Sequence, residues 1–306
     1  MTGRRRGWIV ALVGALVLAV GAAVFLTRPS VEPVEVATPP PRAAWQPGEM
    51  LKGASVQRAE GQSYADAIDE ADRRFGRLDL IRVFYDSAPE PWPGKAPGRD
   101  AIVSFKLDPG QVIAGDHDEA MTAWFCAAPR EQLTFWTNWH EPERQVDRHT
   151  FTAAQYRQAF EHLDTLADTC DNPNLLSTPV LMTWTLRGDH DRDFRDFLPD
   201  AEHIDVLSWD VYNDATLTGR YDAPQDLMAQ AFDIAAQIDR PIAVAEMGSS
   251  LARDDDGTQR AAWLESMLST LRSNNAVYVA YFDFEWAPQK DYRLADAASL
   301  TAWKQG

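Results

Sequence analysis

Residues 241–248 read Pro241-Ile242-Ala243-Val244-Ala245-Glu246-Met247-Gly248, an apolar run that closes on a carboxylate and a glycine. A short uninterrupted run of Ile, Val and Ala marks a strand buried on both faces, the kind that builds parallel sheets. Packing gives no reason for an acid at the end of such a run, so Glu246 points to a strand end that carries chemistry. Outward from it, similar runs recur at Leu51–Val56, Leu78–Tyr85, Ala101–Phe105, Gln132–Trp139, Pro179–Trp184, Ile204–Tyr212 and Val277–Phe282, which with Pro241–Glu246 makes eight strands.

Helical segments fall between them. They are expected over Ser63–Phe75, after a Thr152/Gln155 capping box, and over Leu227–Ile238, Thr258–Leu271 and Ala297–Lys304. Trp263, Met267 and Leu271 repeat at spacing four, one stripe of a helix. Strands alternating with helices require a parallel sheet. Eight such units over residues 48–306 predict an α/β fold of the (β/α)8 TIM barrel type, for which ~250 residues is typical. An open doubly wound sheet is the alternative, weakened because no Gly-rich loop follows the first strand. In the barrel, Cys126 sits on the third helix and Cys170 ends the fourth; these neighbours on the outer ring could be bridged or remain free thiols.

The chain has 306 residues, 45% of them hydrophobic, which excludes a disordered or collagen-like protein. Its formal net charge of -17 argues against a nucleic-acid partner. The charge is uneven. Residues 1–42 hold five Arg and two Glu, so the remainder carries about -20. Arg4, Arg5 and Arg6 form a basic stub (1–6) before an uncharged segment, 7–27, whose stretch Trp8–Leu26 is 19 residues long, enough to cross a bilayer. It reads as an uncleaved signal anchor or a cleaved signal peptide. Residues 28–47, with Pro29, Pro33, Pro39, Pro40 and Pro41, read as an extended linker. The protein is therefore expected to be exported, tethered to the membrane or secreted, and to act as a monomer without a cofactor.

In a barrel the active site lies at the C-terminal ends of the strands. The fourth strand ends in Asn138-Trp139-His140-Glu141-Pro142-Glu143 and the seventh in Ala245-Glu246. Strands four and seven stand on opposite sides of the mouth, so Glu141 and Glu246 can face each other. Cleavage of a glycosidic bond needs such a pair. A separation of ~5–5.5 Å gives retention of configuration, and ~6.5–9.5 Å gives inversion. A zinc reading of His140-Glu141 fails, because the helix motif needs a second His where Arg144 stands.

These motifs resemble the retaining glycoside hydrolases of clan A, and within it most closely glycoside hydrolase family 26, the β-mannanases and related endo-β-glycanases. The likeness rests on His140-Glu141, on Glu246-Met247-Gly248, and on Asp210-Val211-Tyr212-Asn213 of strand six. Pro142-Glu143 departs from the family's usual Met-Asn-Gly, which bears on mannan as substrate rather than on the carboxylate pair. The resemblance implies Glu141 as acid/base and Glu246 as nucleophile. It implies Tyr212 as a hydrogen-bond donor to Glu246, and His140 near the sugar 2-hydroxyl or bonded to Glu246. Trp184, Trp286 and Trp92 are candidate sugar platforms. Arg82 and Lys106 are expected to orient the carboxylates, with Asp210 and Asp283 as their ion-pair partners, and Glu143 is expected on a loop surface. The implied partner is a polysaccharide. A non-catalytic glycan-binding protein on the same barrel is the competing reading.

Overall fold

The computed structural model describes residues 49–188 and 191–306. The basic stub, the apolar segment and the linker expected within 1–47 lie outside the described residues. Among the described residues no helix is long and apolar enough to cross a membrane.

The described chain runs β1 (Leu51–Ser55), α1 (Tyr64–Phe75), β2 (Leu80–Phe84), β3 (Asp100–Phe105), α2 (Asp118–Cys126), β4 (Thr134–Asn138), α3 (Ala153–Asp168), β5 (Leu175–Ser177) and β6 (Val180–Met182). It continues through β7 (Leu207–Asn213), α4 (Pro224–Gln237), β8 (Ile242–Ser249), α5 (Thr258–Ser273), β9 (Tyr278–Tyr281), a small hairpin of β10 (Glu285–Ala287) and β11 (Lys290–Asp291), and α6 (Ala297–Gln305), with short single-turn helices between. All the pairings in the main sheet are parallel, and its order is β5-β4-β3-β2-β1-β9-β8-β7-β6. The two ends of that order, β5 and β6, are consecutive in the chain, with only Thr178 and Pro179 between them. The sheet therefore curls round on itself, and the fold is TIM-like.

The expected fifth strand, Pro179–Trp184, is thus corrected. Pro179 has no N–H to continue a ladder, and the strand breaks there. The first half bonds to β4 and the second to β7. Past Met182 the chain turns into a 3₁₀ helix that holds Trp184. Among the described residues a complete set of eight helices is also absent. Between β2 and β3 stand Pro89, Pro91, Pro93, Pro97 and two glycines, which break any helix, and the segment forms turns instead.

The core has two layers. Leu80, Ile102, Phe135, Val180, Ala243, Ala245 and Tyr278 fill the inside of the sheet. The outer faces of the strands, with Ile81, Val83, Trp136, Trp209 and Val244, pack under the helices. Helix α3 follows the expected capping box, with the Thr152 hydroxyl accepting from the Gln155 N–H, and buries Tyr156, Phe160 and Leu163. Cys126 at the end of α2 and Cys170 just after α3 are joined in a disulfide. In the chain-entropy model, closing a loop of 44 residues in the unfolded state is worth about 4 kcal/mol.

Candidate active site

Strand alternation builds the lower half of the site. On β2, Leu80 points inward, so Arg82 and Phe84 follow it on the same face. On β7, Ser208, Asp210 and Tyr212 do the same. Above the apolar layer these residues form a polar one at the C-terminal end of the sheet.

Strict alternation would leave Glu246 outside, because Ala243 and Ala245 face inward and Val244 outward. The register shows how it is brought in. Trp209 pairs with Val244, but Asp210 pairs with Glu246, and on the other side Val244 pairs with Val279 but Met247 with Tyr281. One extra residue is inserted in β8 at this point. This β-bulge puts both Ala245 and Glu246 on the inner face and returns Met247 to the outer core.

Two donors hold the Glu246 carboxylate. Arg82 Nη2 lies 3.2 Å from Oε1, and the Tyr212 hydroxyl donates to Oε2 at 2.6 Å. Arg82 is completely buried and its guanidinium lies over the Phe84 ring at 4.3 Å. Burial, then the nearby charge of Glu246, drives the Tyr212 pKa well up, so this phenol keeps its proton and donates it. Gly248 is required beside it, because a Cβ there would come within 2.8–2.9 Å of the Tyr212 ring.

Glu141 is placed differently. It lies just past β4, where Trp139 and Glu141 have φ of 58° and 49°, the left-handed region. Such a conformation costs a non-glycine residue on the order of 1–3 kcal/mol and persists where the surroundings demand it. The Glu141 N–H donates to the Val180 carbonyl at 2.9 Å, which ties this corner to the opposite side of the strand break. Its carboxylate pairs with Arg144, Nε to Oε2 2.9 Å. Burial first, and then the anion of Glu246, raises its pKa to about 8, against the opposing pull of Arg144. Glu141 and Glu246 line one cavity.

The cavity over them measures about 690 Å³, within the usual range for ligand sites. Its walls include Phe84, Phe282, Tyr212 and Tyr292. Phe282 stands edge-on to both Phe84 and Tyr212, and Tyr292 lies 4.7 Å from Tyr212. Trp286 of β10 stands at the rim, 64% exposed.

Several expected residues sit elsewhere. Trp92 stacks on Trp124 at 4.9 Å and its indole N–H donates to the Trp124 carbonyl; it packs a proline-rich loop against the core and does not line the cavity. Trp184 does not line it either, because the strand break turns that ring away to lie 4.5 Å from the Arg192 guanidinium. Lys106 lines the cavity but pairs with Asp86 at 2.9 Å rather than with either glutamate. Asp283 pairs with Arg74, not with Arg82 or Lys106. Asp210 is buried beside Glu246 with no ion pair to Arg82; burial and then the Glu246 charge raise its pKa well above the usual carboxylate range. His140 lines the cavity edge-on to Phe84 at 5.3 Å, but no hydrogen bond joins it to Glu246, and its Nδ1 has no protein partner. Burial and the Arg82 charge push its pKa well down, so the imidazole is neutral.

Glu143 is wholly buried instead of lying on a loop surface. It accepts from the Met182 N–H at 2.9 Å and the Thr185 hydroxyl at 3.0 Å, stitching the end of β4 to the turn after β6, and burial lifts its pKa to about 7. Arg144 could have been found from its spacing of three from Glu141. Arg58, Tyr64 and Lys95, also on the cavity wall, carry no pattern that would single them out.

No protein-family model matches the chain, and no curated protein does. Solved structures do match. A glucosidase from Croceicoccus marinus superposes with a TM-score of 0.57 at 14% identity, over 85% of this chain and 68% of that one. The catalytic domain of a family 26 endo-β-1,4-mannanase from Bacillus sp. JAMB-750 gives 0.54 at 14% identity, over 84% and 85%. An exo-β-1,4-mannosidase from an Opitutaceae bacterium gives 0.58 at 14% identity over 84% of this chain, which spans 59% of that protein. The fold of this chain is similar to the fold of these glycosidases, a family 26 endo-β-1,4-mannanase among them.

Proposed function

We propose that this protein is a retaining glycoside hydrolase, an endo-β-glycanase with a mannanase-like cleft, acting on an extracellular polysaccharide. The observation that carries the proposal is the contrast within one cavity. Glu141 is raised to about 8, whereas Glu246 faces a buried arginine and a phenol that both donate to it. A carboxyl that burial keeps protonated, beside a carboxylate held by two donors, supplies the acid and the nucleophile that a double displacement needs.

In the first step a Glu246 oxygen attacks the anomeric carbon as the bond to the leaving oxygen breaks, and the Glu141 carboxyl gives that oxygen its proton. In the second step the Glu141 carboxylate takes a proton from water. The water oxygen bonds to the anomeric carbon and frees Glu246. Neutral His140, on the cavity wall beside the two glutamates, would face the bound sugar without adding a charge. Trp286 offers a stacking face at the rim. Export is part of the proposal. The Arg4–Arg6 stub before an apolar segment supports it, as does the Cys126–Cys170 disulfide, a bond of oxidising compartments.

The test is a panel of polysaccharides (mannan, β-1,3-1,4-glucan, β-1,3-xylan and bacterial exopolysaccharides) with products identified by mass and the first-formed anomer followed by NMR. Cleavage with the β-anomer appearing first is expected. An α-anomer first would replace retention by inversion, and binding without cleavage across the panel would leave a glycan-binding protein.

A further inference from the structure

From residue 43 onward the chain holds 24 basic and 44 acidic residues, yet the cavity wall reverses the ratio. Arg58, Lys95, Lys106, Arg144 and Lys290 line it, and apart from the Glu141/Glu246 pair only Asp86 and Glu90 oppose them. Three of these cations are engaged: Lys106 with Asp86, Arg144 with Glu141, Lys290 with Asp214. The other two share one ring. The Arg58 guanidinium lies 5.3 Å from the Tyr64 centroid and the Lys95 ammonium 5.7 Å from it, the latter also 4.3 Å from the Tyr85 ring. Arg58 makes only a long contact to the Gln62 carbonyl, and Lys95 donates to the Phe84 carbonyl; neither has a carboxylate at ion-pair distance among the described residues. Glu90 and Asp86 are the acids that act on this corner, both raising the pKa of Lys95 against the larger effect of burial.

A strongly acidic domain that gathers cations at its cleft, and leaves two of them without an anion, is built to attract and seat a negative group. Tyr64, the ring that both cations lie over, holds them together on the cavity wall. We infer that the cleft takes an anionic polysaccharide and that the Arg58–Tyr64–Lys95 corner is a subsite for a sugar bearing a carboxylate or sulfate. This rests on the reading of the cavity as a glycan cleft.

Binding to the full chain is measured by calorimetry for three β-1,4-linked probes of equal length: oligomannuronate, the neutral manno-oligosaccharide, and its 6-O-sulfated form. E141Q serves as background for any probe that is cleaved. An anionic probe is expected to bind about 10-fold tighter than the neutral one at about 20 mM NaCl, with the gap narrowing at about 300 mM. Preference for the mannuronate alone identifies a carboxylate, and preference for the sulfated probe alone a sulfate ester. In R58Q/K95Q the ratio should fall towards one. R58Q, which changes only an exposed side chain, should lower it part of the way and R58K restore it. Equal affinity for all three probes, or a ratio unchanged in the double variant, overturns the inference. Anionic preference without turnover of any probe would overturn the hydrolase reading and leave this one standing. Turnover of neutral mannan with no anionic preference would do the reverse.

Discussion

The two sides of the cavity are made in different ways. The Glu246 side is regular sheet: Arg82 and Tyr212 reach the carboxylate from inward positions of β2 and β7, and the one irregularity is the bulge that turns Glu246 toward them. The Glu141 side begins where the sheet stops. Its backbone is left-handed at Trp139 and Glu141, its single cationic partner Arg144 is 41% exposed, and it is steadied from below by buried Glu143. A rigid floor with two buried donors fixes where a carboxylate points. A corner with one half-exposed partner lets a group change state, which is what an acid that must later act as a base has to do.

That contrast is broken most severely from the Glu246 side. E246Q keeps the shape but removes the anion, and turnover is expected to fall by ~10³-fold or more with binding of intact substrate retained. The glutamine leaves buried Arg82 without a countercharge, so thermal unfolding should be recorded alongside. A folded E246Q that still turns over a substrate of the parent at full rate would sink the assignment.

E141Q comes next, with a loss of about 10²–10⁴-fold on substrates with poor leaving groups. It also has a signature in stability. In the folded protein this carboxyl holds its proton up to about 8, whereas the unfolded chain releases it near 4.5. Between those values the folded state binds more protons, so this group's contribution to stability falls as pH rises. The parent should therefore lose more melting temperature than E141Q between pH 6 and pH 9. A parallel decline in both would show that Glu141 is not raised.

The same two sides differ in how far they could be read without coordinates. Both glutamates, Arg82, Tyr212 and the barrel itself follow from apolar runs and the residues that end them. Periodicity says which residues are inward on β2 and β7, and these are the residues found on Glu246. It says nothing of the bulge, because an inserted residue leaves no mark in PIAVAEMG. Glu143 defeats the reading for a related reason. Exposure is the sound expectation for a glutamate five residues past a strand, and only the break at Thr178–Pro179 brings the Met182 N–H and Thr185 hydroxyl to bury it. Trp286 reaches the rim, but Trp92 and Trp184 do not line the cavity, because sequence does not say which way a turn will face an indole.

Y212F tests the floor more gently. It removes one hydrogen bond to a charged group and leaves the ring packed on Tyr292. Such a bond is worth about 1.5–3 kcal/mol, so kcat/KM should drop by about 10–100-fold. If Tyr212 merely packed the rim, Y212F would be silent while G248A, which crowds the ring, would not.

The smallest effect belongs to Arg144, and it sharpens the comparison most. Burial and the Glu246 charge hold the Glu141 pKa up, and Arg144 opposes them. An exposed cation in an i,i+3 pair is worth little energy, so R144Q should leave the maximal rate nearly intact. It should nevertheless move the point at which Glu141 loses its proton. The alkaline limb of the pH–rate profile, expected near 8 in the parent, should shift upward in R144Q by less than about one unit, while R144K keeps it in place. A downward shift would mean that Arg144 chiefly excludes water from Glu141 rather than stabilising its charge. An unmoved limb would mean that the half-exposed guanidinium is fully screened, and that the burial of Glu141 alone sets the acid.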